Sequence, residues 1–133
     1  MSSQEIKQDR RYTKDHEWAK DGGAEVVVGI TAYAVDQLGD ITLVNVDLAV
    51  GDEVEAGKPF GTVESVKTLA DLYAPISGKL VRINSELENA PELVNDDCYD
   101  KGWLVAIVPS DKAQLDKLMD GAAYGTFLDA ESH

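Results

Sequence analysis

Apolar and polar positions change period along this chain, and the changes mark out short strands separated by brief helical turns. From Ala24 the run AEVVVGI is dense in β-branched residues and predicts a strand. Thr31 is placed to cap a short helix, AYAVDQL, which Gly39 stops. ITLVNVDL then sets Val44, Val46 and Leu48 on one face and Asn45 and Asp47 on the other, the period of a half-buried strand. Gly51-Asp52 and Ala56-Gly57 are turn signals on either side of Val54. Phe60 to Val66 and Leu69 to Ala74 read as two strands joined around Lys67 and closed by Pro75, Ser77 and Gly78. KLVRIN continues as a strand, with Val81 and Ile83 alternating against Arg82. Asn89 and Pro91 suit the start of a single helical turn, NAPELV, and WLVAIV predicts a strand buried on both faces.

The two ends read differently. DKAQLDKLMD places Leu115, Leu118 and Met119 at helical spacing, with Ser110 as its cap and Gly121 as its end. A weaker pattern of Tyr124, Phe127 and Leu128 follows and is interrupted by Gly125. Residues 1–10 are polar and unpatterned, which predicts a frayed segment ahead of a single domain over 11–133. A chain of 133 residues has room for one modest core, and no composition break divides it. Several short strands with closely spaced turns predict a small all-β barrel or sandwich trimmed by helices.

Charge narrows the functional classes. Twelve basic residues against 25 acidic ones give a net charge of −13. Nucleic acid is excluded as a partner, because that affinity depends on replacing phosphate counterions with Lys and Arg. An acidic surface suits a carrier that docks on basic patches and leaves quickly, or it serves solubility alone; composition leaves both open. Cys98, the one cysteine, has no partner for an internal disulfide. No run approaches the roughly 20 apolar residues that span a bilayer, and MSSQEIKQDRRY lacks the apolar core of a secretory signal. A cytoplasmic protein without membrane association is expected.

Lys67 stands ten residues after Gly57 and eleven before Gly78, near the midpoint between two turn glycines where the chain must double back. A hairpin of this kind exposes its middle residue. An exposed lysine keeps an ordinary amine, a poor base but one open to a modifying enzyme. Acylation would remove its charge and add a flexible arm, with the attached group supplying the reactivity and the protein the reach and shelter. Other chemistries fit less well. GDEVEAGKP mimics a phosphate loop but has one residue too many and Pro59 where Ser or Thr is needed. No G-x-S-x-G elbow occurs, and two histidines with one cysteine fall short of a zinc set, so His16 reads as structural. A Ser65–Lys67 dyad would need a desolvated lysine, which a hairpin tip does not provide.

Five blocks in order carry a resemblance that covers about Tyr12 to Leu128. They are RYTKDHEW, VGITAYAVDQLGDI, VGDEVEAGKPFGTVESVKTLADLYAPISGKLV, NAPELVNDDCYDKGWLVAI and the C-terminal helical stretch. Together they resemble the H proteins of the glycine cleavage system. The resemblance implies a mainly β, lipoyl-domain-like sandwich of two small antiparallel sheets, with short helices and a C-terminal helix. It implies lipoate in amide linkage on Lys67 within the attachment motif Glu64, Ser65, Val66 and Lys67, and no catalysis by the carrier itself. In this family the arm accepts an aminomethyl group from glycine decarboxylase (P protein) as CO2 leaves, and delivers it to the aminomethyltransferase (T protein). Dihydrolipoyl dehydrogenase (L protein) then reoxidises the dithiol. A lipoate ligase or octanoyl transferase would be a further partner, and a monomer is expected.

By the same resemblance, Glu17 and Asp71 are the cleft carboxylates that hold the amine of the loaded arm, a pairing with a direct electrostatic reason. Glu64 would orient the hairpin and help ligase recognition. Trp18 and Trp103 read as core or cleft-wall residues. Three positions depart from the family pattern: Ala32 where a polar residue often follows the Ile-Thr pair, Ala49 for a frequent proline, and Cys98 for another. The alternative within carriers is a relay that passes lipoate or octanoate to 2-oxoacid dehydrogenase subunits. A biotin carrier is disfavoured because Val66 and Thr68, not methionines, flank the lysine.

Overall fold

Residues 6–131 are described by the computed structural model, and their strands pair into two antiparallel sheets. The six-stranded sheet has the order β1 (Arg11–Tyr12), β2 (Glu17–Asp21), β3 (Val26–Ile30), β9 (Val105–Pro109), β8 (Gly78–Ile83) and β5 (Glu53–Val54). The three-stranded sheet has β6 (Pro59–Ser65) between β4 (Ile41–Val46) and β7 (Leu69–Tyr73). The mainly β class expected from the sequence is what the chain forms, with short helices and a C-terminal helix added.

Alternation along the strands divides the core in two. Val26, Val28 and Ala19 point toward Phe60, Val63, Leu72, Leu80 and Ile107, the filling between the sheets. Val27 and Trp18 point the opposite way, into an aromatic cluster of Tyr12, Tyr99, Tyr124 and Leu128. Burial of both faces is why EWAKD shows no alternating pattern and why β2 escapes a sequence reading. The Trp18 ring lies directly on Gly29, where no Cβ would fit. Its indole N–H is shared between the carbonyls of Ile30 at 3.1 Å and Cys98 at 3.0 Å.

Helix α1 (Ala32–Leu38) has the predicted bounds. Thr31 Oγ1 accepts the Ala34 N–H at 3.2 Å, and Gly39 closes the helix at φ 81°. Ala32 does not loosen this start, because its own N–H donates to the Tyr99 hydroxyl at 3.1 Å. In place of a single turn over NAPELV, a 3-10 turn at Ser85–Glu88 precedes that stretch and a short helix α2 at Leu93–Asp96 starts only at its end. In β8 the register slips between Leu80 and Arg82, so Leu80 is the fully buried residue and Val81 only half-buried.

The two ends require correction. Arg10 does not fray: it is 7% exposed, donates from Nη1 to the Tyr99 carbonyl at 2.9 Å, and stands 4.6 Å from the Trp18 ring centroid. Ile6 packs on the same cluster, and residues 1–5 lie outside the described residues. At the other end DKAQLDKLMD yields only α3 (Ala113–Asp116), and the Ser110 hydroxyl bonds the Ser77 carbonyl instead of capping it. Met119 then pairs with Tyr12 through two backbone hydrogen bonds, which pulls the chain out of helical geometry. Gly121 opens the true C-terminal helix α4 (Gly121–Glu131), and Asp120 Oδ1 accepts the Ala123 N–H at 2.8 Å. Among the described residues no helix is long and apolar enough to cross a membrane.

Candidate functional site

Strands β6 and β7 run antiparallel with Glu64 opposite Leu69, and Ser65 to Thr68 turn the corner. Ser65 shapes that turn. Its amide donates to the Thr68 carbonyl at 2.8 Å, and its hydroxyl oxygen accepts the N–H groups of Lys67 and Thr68, each at 3.2 Å. The hydroxyl in turn donates to the Thr68 carbonyl at 3.3 Å. A hydroxyl so occupied holds the backbone and is not poised as a nucleophile, which removes the dyad reading. The Val66 N–H donates to the Asp40 carbonyl at 3.1 Å and ties the tip to the start of β4. Lys67 itself is exposed.

The lysine side chain lies along the end of α1. A Cβ at Gly39 would stand 3.2 Å from Lys67 Cε and 3.8 Å from Nζ, and Gly39 also holds φ 81° with ψ −153°. That region of backbone space is reserved for glycine. Position 39 therefore both ends the helix and leaves room for the lysine stem. At Gly57, φ 84° meets a turn requirement, whereas Gly61 and Gly78 are packed against the carbonyls of Asn45 and Val108.

Next to this tip is a cavity of about 180 Å³ whose apolar wall includes Ile30, Ala34, Leu38, Val63, Ala70 and Leu72. Three carboxylate residues, Asp15, Glu17 and Asp71, also line it, and none of the lining residues is Lys or Arg. Glu17 is 2% exposed; its Oε2 accepts the Tyr73 N–H at 2.6 Å, while its Oε1 is buried without a partner. Burial pushes its pKa up to about 8. Asp71 is exposed at the rim, where the Tyr73 hydroxyl donates to its Oδ2 at 3.4 Å. The Asp71 charge in turn raises the Tyr73 hydroxyl above its ordinary value. Lys67 is not part of the cavity wall, but Leu38 lines it and the adjacent Gly39 carries the lysine stem.

A polar chain braces the back of the cavity. The Tyr124 hydroxyl of α4 lies 2.9 Å from His16 Nδ1 and 2.8 Å from Thr31 Oγ1. The His16 ring also packs on Tyr33, with centroids 4.5 Å apart, and its backbone takes φ 67°. Reading His16 as structural thus left out that it helps line the cavity. Gln37 and Leu38 were also missed, although both fall inside the VGITAYAVDQLGDI block. Trp18 and Trp103 stand away from this wall, the latter stacked under the Arg82 guanidinium at 4.9 Å. Cys98 is a buried filler whose carbonyl serves Trp18. Among the described residues no group of three or more His, Cys, Asp or Glu is placed to hold a metal ion.

Comparison with known proteins gives this arrangement a family. A family model described as glycine cleavage H-protein matches residues 10–131. The chain is 49% identical over 127 residues to the glycine cleavage system H protein of Anaeromyxobacter sp. (strain K), covering 96% of this chain and 98% of that one. It is 48% identical over 121 residues to the protein of the same name from Halalkalibacterium halodurans, covering 91% and 94%. The crystal structure of a glycine cleavage system H protein from Mycobacterium marinum superposes with a TM-score of 0.84 at 38% identity, covering 93% of this chain and 99% of the other. With match, relatives and architecture in agreement over nearly its whole length, the chain belongs to the glycine cleavage H-protein family.

Proposed function

We propose that this chain is the lipoyl-bearing shuttle of a glycine cleavage system, carrying an aminomethyl group between partner enzymes without catalysing the reaction. The observation that carries the reading is a single exposed lysine, Lys67, beside a small apolar cavity with a buried, half-satisfied carboxylate, Glu17. Lipoate joined to Lys67 would supply the disulfide and dithiol chemistry that takes up and returns the one-carbon amine.

The residues present fit such a group. Lys67 offers a primary amine for the amide bond, and Ser65 holds the turn that presents it. The unpartnered Oε1 of Glu17 suits a protonated amine, whose charge would favour the ionised carboxylate that burial alone disfavours, and Asp71 stands at the rim beside it. Apolar side chains around them exclude water, which strengthens that pairing and slows hydrolysis of a sheltered aminomethyl group. Partners in this reading are glycine decarboxylase, the aminomethyltransferase, dihydrolipoyl dehydrogenase and the ligase or octanoyl transferase, all in the cytoplasm.

A relay that only hands lipoate to other proteins needs Lys67 and has no use for an amine-binding carboxylate, so Glu17 favours the shuttle. The test is intact mass after coexpression with a lipoate ligase, followed by reconstituted glycine decarboxylation. Wild type should gain one lipoyl increment and Lys67→Ala none. Glu17→Gln should gain the increment yet support decarboxylation about tenfold more slowly, the loss expected of one charge-assisted contact. An adduct on Lys67→Ala, or full decarboxylation by that variant, overturns the proposal.

A further inference from the structure

Helix α1 is gripped at both ends by one short stretch of chain, residues 95–99, and only one of the two grips leads to Lys67. At the start of the helix the Ala32 N–H donates to the Tyr99 hydroxyl at 3.1 Å. Past its other end Asn95, on α2, donates from Nδ2 to the Gly39 carbonyl at 2.9 Å, and its Oδ1 accepts the Ile41 N–H at 2.9 Å. These two bonds bracket Asp40, whose carbonyl accepts the Val66 N–H of the hairpin tip at 3.1 Å. The backbone there needs the help. Gly39 adopts φ 81° and ψ −153°, and glycine gives up more conformational freedom on being fixed than any other residue. A primary amide offers a donor and an acceptor in one plane, so asparagine serves both main-chain groups where a carboxylate only accepts. Its own base is firm: Val94 beside it is fully buried, and Gly102 packs on Leu93 and Val94 too closely for a Cβ.

We propose that Asn95 is a positioning residue for the arm on Lys67, and that its bracket on Gly39 and Ile41 sets how long the attached cargo stays in the cavity. The inference rests on the carrier reading above. Two contacts run from the bracket to the lysine. One passes through Asp40 to Val66, the residue before Lys67. The other passes through Gly39, where a Cβ would stand 3.2 Å from Lys67 Cε. Leu38, the neighbour of Gly39, is itself part of the cavity wall. Holding this bend therefore holds the root of the lysine, the surface its stem lies on and the near side of the cavity together. With the bracket cut, the helix end and the hairpin tip open locally and independently, and the arm spends a smaller share of its time inside. Cargo outside the cavity meets water. The carbon–sulfur bond of the aminomethyl thioether then breaks; the oxygen of water stays on the carbon as formaldehyde, and its two protons go to sulfur and nitrogen, leaving a thiol and ammonium. Loss of cargo from the isolated carrier thus reports the time spent outside.

The test uses the lipoylated carrier, loaded with glycine and purified glycine decarboxylase and then separated from the enzyme. Intact mass follows the loss of the aminomethyl increment with time. The variants are Asn95→Ala; Asn95→Asp, which keeps the shape and loses the donor; and Tyr99→Phe, which removes the grip at the other end of α1. Amide hydrogen exchange of Val66 is measured on the same chains before lipoylation. Both Asn95 variants should lose cargo about fivefold faster than wild type, the factor that one hydrogen bond of ordinary net strength supplies. Val66 exchange should rise by a similar factor in both. Tyr99→Phe should match wild type in each readout while lowering the urea midpoint, because its grip does not lead to the lysine. Cargo held as long as in wild type by both Asn95 variants overturns the proposal and leaves the carrier reading standing. Equally fast loss from Tyr99→Phe also overturns it, since the effect would then belong to general stability. A wild type that takes up no lipoyl or aminomethyl increment brings down the carrier reading, and this inference with it.

Discussion

Glu17 reaches the cavity with one oxygen bonded to the Tyr73 amide and the other unpartnered, and its pKa stands near 8 against an ordinary 4.5. Between those values the folded chain keeps a proton that the unfolded chain releases. Glu17 therefore favours the folded state most below pH 4.5, loses that contribution as pH rises toward 8, and changes little beyond. The loss is on the order of 5 kcal/mol. Glu17→Gln should remove it: urea midpoints of variant and wild type should be similar near pH 4.5, and the variant should be the more stable near pH 9. An unchanged difference across that range would mean that Glu17 titrates normally. At Lys67 the expectation is the reverse in kind. Lys67→Arg keeps charge and turn, so stability should move by no more than about 0.5 kcal/mol, while the lipoyl increment disappears from the mass spectrum.

Among the elements, α1 is the one on which the site depends most. Its first turn is held by Thr31, whose hydroxyl both caps Ala34 and meets Tyr124 of α4, and its last turn ends at Gly39 beneath Lys67. Thr31→Ala should cost about 1–2 kcal/mol, read as a lower urea midpoint. This helix was legible because its signals are local: a hydroxyl before it, a glycine after it, and seven residues with neither glycine nor proline between. The C-terminal helix was not. Gly121 and Gly125 resemble stop signals, whereas Gly121 in fact lies against the side chain of Gln8, where a Cβ would come within 2.6 Å. The Met119–Tyr12 pairing that ends the preceding stretch joins residues more than a hundred positions apart. No local pattern announces such a contact.

In the whole molecule the two apolar clusters share β2 and β3, one on each face, and this should make unfolding a single transition. Trp18 touches both the Gly29 backbone and the Arg10 guanidinium. Trp18→Ala should therefore cost about 3–5 kcal/mol, and loss of near-UV and far-UV dichroism should still coincide. The hairpin and its lysine were readable from glycine spacing and motif. The cavity was assembled from β2, β3, α1, β6 and β7, and nothing local to any of them brings Glu17 and Asp71 together. The resemblance supplied that pair, and the fold puts both on one cavity.

Because residue 39 has no side chain, the stem of Lys67 can lie down along the protein instead of standing away from it. Any group grafted there would start its path tangent to the surface, one residue from a cavity-lining leucine. Retraction then becomes a short swing about a low pivot, and the tethered end finds its shelter at high local concentration. Filling that notch, as Gly39→Ala would at a cost in stability from its glycine-only backbone, lifts the pivot. Such a carrier should still be loaded, yet spend less of its time closed.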